Sequence, residues 1–265
     1  MQLPLGFLIA VVIAYAAYRA KSLNRSGALA AVAVGTVIFG IGGWQWAVLL
    51  LTFFISSSLL TRAFKKRKSD LNEKFSKGGQ RDAGQVFGNG GLATLLAGLT
   101  FFYPDDPRLW LGFAAVLAAS NADTWATELG VINPHPPRLI THPMRIVEKG
   151  TSGGISLVGT LAALAGAGLI GLLASLLNPS GITWSIILLV TLAGLSGSLF
   201  DSLLGATLQA IYRCPTCDKE TEHHPIHSCG TPTEQIRGWR WLDNDWVNFG
   251  CGLFAVIIAF LIYSA

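Results

Sequence analysis

The chain has 265 residues and a formal net charge of +4, with 51% hydrophobic and only 13% charged side chains. A soluble domain carries about 25% charged residues, so this composition excludes an ordinary water-soluble core and leaves lipid as the solvent. The small basic excess calls for no nucleic acid, because anionic lipid headgroups and phosphate-bearing substrates balance it.

The apolar residues come in eight runs nearly free of charge, at 3–18, 29–39, 44–60, 92–103, 109–119, 155–177, 182–195 and 246–263. A helix needs about 20 residues to cross the hydrocarbon layer. The second run approaches that length only when Gly27 through Gly43 are drawn in. The first lacks the basic start and cleavage site of a signal peptide and reads as a retained helix. The expectation is an all-α polytopic membrane protein of about eight transmembrane helices, one transmembrane domain over residues 1–265. A small cytoplasmic Cys/His loop, 213–244, is inserted before the last helix.

Of the 19 Lys and Arg residues, 18 fall in alternate loops, around 19–25, 62–81, 138–149 and 213–240, with Arg108 the stray. Cytoplasmic loops carry such an excess, which predicts these loops inside and both termini on the opposite side. A weak internal repeat agrees with that topology. Lys77-Gly-Gly-Gln-Arg-Asp82 opens a helix pair whose returning helix carries Asp123. Lys149-Gly-Thr-Ser-Gly-Gly154 opens a second pair whose returning helix carries Asp201. Parallel repeats keep their ends on one side, so both glycine loops and both aspartates belong near the cytoplasmic boundary. Gly166, Gly168, Gly171, Gly194 and Gly197 read as close-packing positions between helices.

Asn121-Ala-Asp123-Thr-Trp-Ala-Thr-Glu128 sets two carboxylates at the inner end of an apolar helix. Charge at membrane depth is costly and serves a function or a pair. The two lie roughly 140° apart on an ideal helix, so a shared metal requires local unwinding; the alternative is a pair of solvated carboxylates. Gly197, Asp201 and Gly205 follow at four-residue steps and outline a small-residue groove beside a carboxylate, or else a packing aspartate paired with a cation. Lys149, Gly150, Thr151, Ser152, Gly153 and Gly154 offer a cation, hydroxyls and backbone N–H groups at a helix start, an arrangement that binds phosphate. Lys77, Gly78, Gly79 and Asp82 are similar, and Arg81, Gln85 and Asn89 continue as one polar stripe. Two cationic glycine loops facing three acids suggest a phosphate and Mg²⁺ site.

Cys214-Pro-Thr-Cys217, then His223, His224, His227 and Cys229, has structural-zinc spacing. The expected ligands are Cys214, Cys217, His227 and Cys229, with His223 or His224 as substitutes; a reduced, metal-free loop is the alternative. A cytoplasmic loop forms no disulfide, and Cys251, inside a span, reads as packing. Trp239, Trp241 and Trp246 suit an interfacial belt, and Asn244 and Asn248 share a helix face beyond them.

Several strings, in this order, resemble the phytyl-phosphate kinase family of integral membrane proteins in tocopherol biosynthesis. They are Lys77-Gly-Gly-Gln-Arg-Asp-Ala-Gly-Gln-Val86 with Asn89-Gly-Gly91, Asn121-Ala-Asp-Thr-Trp-Ala-Thr-Glu-Leu-Gly130, Gly150-Thr-Ser-Gly-Gly-Ile-Ser156, Gly197-Ser-Leu-Phe-Asp-Ser-Leu-Leu-Gly-Ala-Thr207 and Asn244-Asp-Trp-Val-Asn248. The resemblance implies a lipid kinase that converts a phytyl or geranylgeranyl monophosphate to the diphosphate with a nucleoside triphosphate. Wider kinship to polyprenol kinases and CDP-lipid synthases puts CTP beside ATP as donor. It further implies that Asp123, Glu128 and Asp201 hold Mg²⁺ and that Lys77, Arg81, Lys149 and the glycine loops hold phosphates. Asn89, Asn121, Asn244 and Asn248 would position nucleotide or acceptor. A phosphate monoester has a second pKa of about 6 and is already a nucleophile, so no general base is assigned. Implied partners are the isoprenyl-phosphate lipid, the nucleotide and membrane lipids, with a homodimer allowed. Two rival readings are a cytidylyltransferase forming a CDP-activated lipid and a membrane transporter.

Overall fold

The computed structural model describes residues 3–64, 79–178 and 183–264. Its helices are α1 (Leu3–Arg19), α2 (Arg25–Val37), α3 (Trp44–Phe64), α4 (Ala83–Leu99), α5 (Pro107–Gly130), α6 (Leu157–Leu176), α7 (Trp184–Thr207) and α8 (Asn244–Ser264). Each apolar run of the sequence lies in or overlaps one of them. Among the described residues, five helical stretches are long and apolar enough to cross a membrane: Arg25–Gly42, Trp44–Phe64, Leu157–Leu176, Trp184–Thr207 and Asn244–Ser264. The short second run reaches 18 residues because a π-helical turn, Ile38–Gly42, prolongs α2. Helix α1 is apolar but stops at 17 residues.

Helix starts follow the local chemistry. Asn24, Asp82, Asp106 and Ser156 each accept a hydrogen bond from a backbone N–H of the helix they precede, satisfying donors that have no intrahelical partner. Asp106 does so beside Pro107 at the first helical position and also binds Arg108, its guanidinium Nη2 at 2.7 Å. That pairing accounts for the one basic residue outside the basic loops.

Helix α5 is the hub. Every residue from Leu109 to Ala122 is buried, and α3, α4, α6, α7 and α8 all pack on it. The packing is the reverse of a soluble core in side-chain size. On α6 the buried positions include Gly159, Ala162, Ala163, Gly166, Ala167 and Gly171, while Leu157, Leu161, Leu164, Leu172 and Leu176 are exposed. Small residues let backbones approach where lipid supplies no hydrophobic drive; the leucines face lipid tails that are as apolar as they are. A Cβ on Gly194 would meet Ala118 Cβ at 2.6 Å, and one on Gly171 would meet Thr191 Oγ1 at 2.8 Å.

The all-α expectation needs one correction. Two small antiparallel sheets form in the polar loops: β1 (Arg138–Leu139), β2 (His142–Ile146) and β3 (Gly154–Ile155) in the order β2-β1-β3, and β4 (Ile211–Cys214), β5 (Lys219–Thr221) and β6 (Glu234–Arg237) in the order β5-β4-β6. Pro134, Pro136, Pro137 and Pro143 in the first loop, and Pro215, Pro225 and Pro232 in the second, block helix continuation. The extended segments between them pair instead.

These loops gather at one end of the bundle. Arg81 N–H donates to Ser22 O at 2.9 Å and Asn24 N–H to Arg81 O at 3.0 Å, joining the α1–α2 loop to the start of α4. Arg62 Nη2 donates to Ser22 Oγ at 2.6 Å. Gly153, at φ +85°, lets its loop close on Ala206 near the end of α7, where a Cβ would sit 2.5 Å from Ala206 Cβ.

Candidate active site at the polar end of the bundle

Helix α5 carries Asp123 and Glu128 to different neighbours, as their angular separation requires. Glu128 is buried, and its Oε1 accepts a hydrogen bond from Thr61 Oγ1 of α3 at 2.9 Å. Its charged neighbour is Arg81, whose guanidinium also lies over Phe53 and Phe54, 5.4 and 5.3 Å from their centroids. Burial lowers Arg81 to about 10, against the pull of Glu128; the side chain stays cationic at neutral pH.

Asp123 belongs to a second group. The charges acting on Asp201 of α7 are those of Asp123 and Glu222. Asp201 Oδ2 is buried and has no hydrogen-bond partner among the described residues. From Glu222 a chain of bonds runs back across the site: Gln209 Nε2 donates to Glu222 Oε1 at 2.9 Å, and Ser152 Oγ donates to Gln209 Oε1 at 2.5 Å. Gln209, 2% exposed, therefore ties the second glycine loop to the Cys/His loop. Arg237 Nη2 donates to Gly205 O at 3.0 Å, a cation on the last turn of α7 where the helix dipole favours it. Burial lowers the Arg237 pKa.

Helices α4 and α8 close this side. Ser120 Oγ donates to Asn89 O at 3.1 Å. A Cβ on Gly88 would sit 2.7 Å from Asp245 O, and one on Gly197 would meet Ala119, Cys251 and Ala255. Asn248, buried, lies between Asp245 and Cys251 on α8. Asn89 and Asn244 are partly exposed at the same end.

Several expected ligands have other work. The ligand atoms of Asp123, Glu128 and Asp201 do not all lie within 4.8 Å of one another: among the described residues, the one group of three or more His, Cys, Asp or Glu side chains that close is Cys214, Cys217, His227 and Cys229. An uninterrupted α5 keeps Asp123 and Glu128 apart. Asn121 is fully buried, its Nδ2 donating to Gly166 O at 2.8 Å and its Oδ1 accepting from Ser56 and Ser57 at 2.9 and 3.3 Å; both ends of the amide are used in packing α3 and α6 on α5. Asp82 and Gln85 form a capping box on α4. The loop after Lys149 does not open a helix directly. Gly154 lies in β3, Ser156 caps α6, and Lys149 Nζ donates to Asn133 O at 2.6 Å beyond the end of α5. Gly150 and Gly153 have positive φ, and the Thr151 and Gly154 N–H groups are bonded within the loop. The small-residue groove beside Asp201 is filled by the chain itself, at Gly197 by Ala119 and at Gly205 by Ser152. Gly79 is exposed, while Lys77 and Gly78 lie outside the described residues.

The Cys/His group is assembled as its spacing suggests. Cys214 ends β4, the Cys-x-x-Cys turn leads to β5, and His227 and Cys229 return from the far side. Their ligand atoms all lie within 4.8 Å of one another, so the loop can hold a metal ion. His224 is occupied in stacking on Tyr212, and His223 meets His227 edge-on. Hydrogen bonding with Thr231 and then with His227 lowers the Cys229 thiol to about 5.

Sequence reasoning missed Gln209 and Glu222; the available signal was a glutamine directly after an apolar helix end. It also missed Thr61, Ser56 and Ser57, polar residues on an apolar helix whose partners are remote in sequence.

Comparison with known proteins bears on the whole chain. The integral membrane protein family DUF92 matches residues 8–256. Protein PGR of Arabidopsis thaliana is 35% identical over 270 residues, covering 94% of this chain and 91% of that protein. An uncharacterized membrane protein of Methanocaldococcus jannaschii is 34% identical over 79% of this chain and 84% of its own. Protein VTE6, chloroplastic, also of Arabidopsis thaliana, is 26% identical over 85% of this chain and 61% of its own. No solved structure matches. The chain belongs to the DUF92 family of integral membrane proteins, the family to which its motif strings point.

Proposed function

We propose that this protein is a Mg²⁺-dependent kinase of an isoprenyl monophosphate, phytyl or geranylgeranyl, using CTP or ATP. One observation carries the reading: Asp201 of α7, which we pair with Asp123 of α5, buries its Oδ2 with no hydrogen-bond partner among the described residues, at the end of the bundle where the basic loops gather. That pairing is supported by the motif resemblance, which assigns phosphoryl transfer to the same two strings.

The residues present fit a magnesium ion. Mg²⁺ takes one or two carboxylates and completes its shell with phosphate oxygens and water. Asp123 and Asp201 match that demand, and Asp201 Oδ2 is buried without a hydrogen-bond partner among the described residues. When bound, the ion neutralises charge on the transferring phosphoryl group. Asn89, Asn244 and Asn248 flank the pair and position nucleotide or acceptor, while Arg81 and Lys149 supply fixed positive charge at that end. An acceptor phosphate oxygen attacks the terminal phosphorus of the nucleotide, the bond to the nucleoside diphosphate breaks, and the prenyl diphosphate leaves. Catalysis rests on positioning and charge neutralisation. The prenyl tail lies among the helices with its headgroup at the polar boundary. That boundary faces the cytoplasm, where nucleotides are, and both termini lie opposite.

Uninterrupted helices through Asp123 and Asp201 favour this reading over a transporter, whose substrate sites sit on broken helices. The test is purified protein incubated with phytyl or geranylgeranyl monophosphate, Mg²⁺ and each nucleotide in turn. Prenyl diphosphate and nucleoside diphosphate are expected. A CDP-lipid with released pyrophosphate would replace the kinase by a cytidylyltransferase, and no product with any donor would sink both.

A further inference from the structure

The Cys/His loop is too small to fold on apolar burial alone. Between α7 and α8 it offers three strands of four, three and four residues, and its buried side chains include Tyr212, Cys214, Thr221 and His227. Units of this size ordinarily need a metal or disulfides. The cysteines are not bonded to each other.

The ligand atoms of the four side chains all lie within 4.8 Å of one another, and three of their pairs come close to the edges of a tetrahedral site. Cys214 Sγ and Cys229 Sγ are 3.5 Å apart, Cys217 Sγ and His227 Nδ1 3.7 Å, and His227 Nδ1 and Cys229 Sγ 3.2 Å. A tetrahedron with Zn–S bonds of about 2.3 Å has edges of roughly 3.8 Å. Three thiolates and one imidazole are soft donors that select zinc over magnesium or calcium.

What this loop holds in place is the polar end of the bundle. Trp239 N–H donates to Leu208 O and Ala210 N–H to Leu242 O, each at 2.9 Å, which ties the two ends of the loop together just beyond α7. Gln209 and Glu222 form the bonded chain from Ser152, and a Cβ on Gly205, four residues after Asp201, would sit 2.6 Å from Ser152 Oγ and 3.2 Å from Gln209 Oε1. We infer that Cys214, Cys217, His227 and Cys229 bind one zinc ion, and that this ion positions Gln209 and Glu222 against Asp201 and the second glycine loop. The zinc is structural, with four protein ligands and no open position, and the inference stands whether or not the protein transfers phosphate.

Metal analysis of the full chain, purified in detergent without chelator, should give close to one zinc per chain. A Cys214→Ser, Cys217→Ser variant should lose it, and Cys251→Ser should keep it. Chelation of the wild-type protein serves as the measurement that needs no variant to fold. It should release the zinc, expose three further thiols to a thiol reagent, and raise hydrogen exchange at least tenfold in residues 151–155 and 209–222, leaving the centre of α5 protected. Less than about a tenth of a zinc per chain, or unchanged zinc in the double variant, overturns the ligand set. Zinc release with unchanged exchange at 151–155 and 209–222 overturns the positioning role.

Discussion

Truncating Asn121 separates packing from catalysis most cleanly. Its amide donates to Gly166 O at 2.8 Å and accepts from Ser56 at 2.9 Å and Ser57 at 3.3 Å, with none of its surface exposed. Asn121→Ala removes two well-formed hydrogen bonds and one long one. Each is worth about 0.6–1 kcal/mol net in such a setting, and the lost amide leaves a small void between α3, α5 and α6. The expected cost is about 2 kcal/mol, a change of up to about 30-fold in the folded-to-unfolded ratio. Denaturant titration in mixed micelles, followed by tryptophan fluorescence, reads that shift. The folded fraction should keep the nucleotide KM of the parent. A variant of unchanged stability with a raised KM would refute the packing assignment and return Asn121 to the nucleotide site.

The aspartates should behave in the opposite way. Asp201→Asn and Asp123→Asn preserve volume, so turnover should vanish while the unfolding midpoint stays within about 1 kcal/mol of the parent; retained turnover removes them from the site. Two glycines of equal φ should part company. Gly153→Ala meets Ala206 at 2.5 Å, whereas Gly230→Ala meets nothing within 4 Å. The first should cost about 3 kcal/mol or more through clash and strain, the second only about 1 from the left-handed backbone, and equal unfolding midpoints would contradict the close approach of the glycine loop to α7. Asp106, held below the ordinary carboxylate range chiefly by its hydrogen bond from Arg108, should contribute stability above about pH 4 and lose it as pH falls through its lowered value. The stability gap between the parent and Asp106→Asn, measured at pH 7 and pH 3, should narrow at the lower pH; a constant gap would show that the ion pair contributes nothing.

Part of this was written in one dimension. The apolar runs mark the helices because burying backbone in lipid leaves helices as the way to satisfy it, and charge counted along the loops marks a polar side. The Cys/His cluster was legible because Cys214, Cys217, His227 and Cys229 lie within 16 residues, so local chain geometry nearly dictates their meeting. Capping is equally local: the Asp82 side chain and the Gln85 side chain close a capping box on the start of α4, three residues apart in the chain. Partnerships between helices were decided by the tertiary structure alone. Asp123 and Glu128 stand five positions apart, yet the turn of α5 sends one toward α7 and the other toward α3 and Arg81. Asn121, two residues from Asp123, turns its amide to Ser56 and Gly166 and packs α3 and α6 on α5. Composition tells a helix that it lies in lipid; which neighbour meets each of its faces depends on how the whole bundle packs, and no stretch of the chain carries that information by itself.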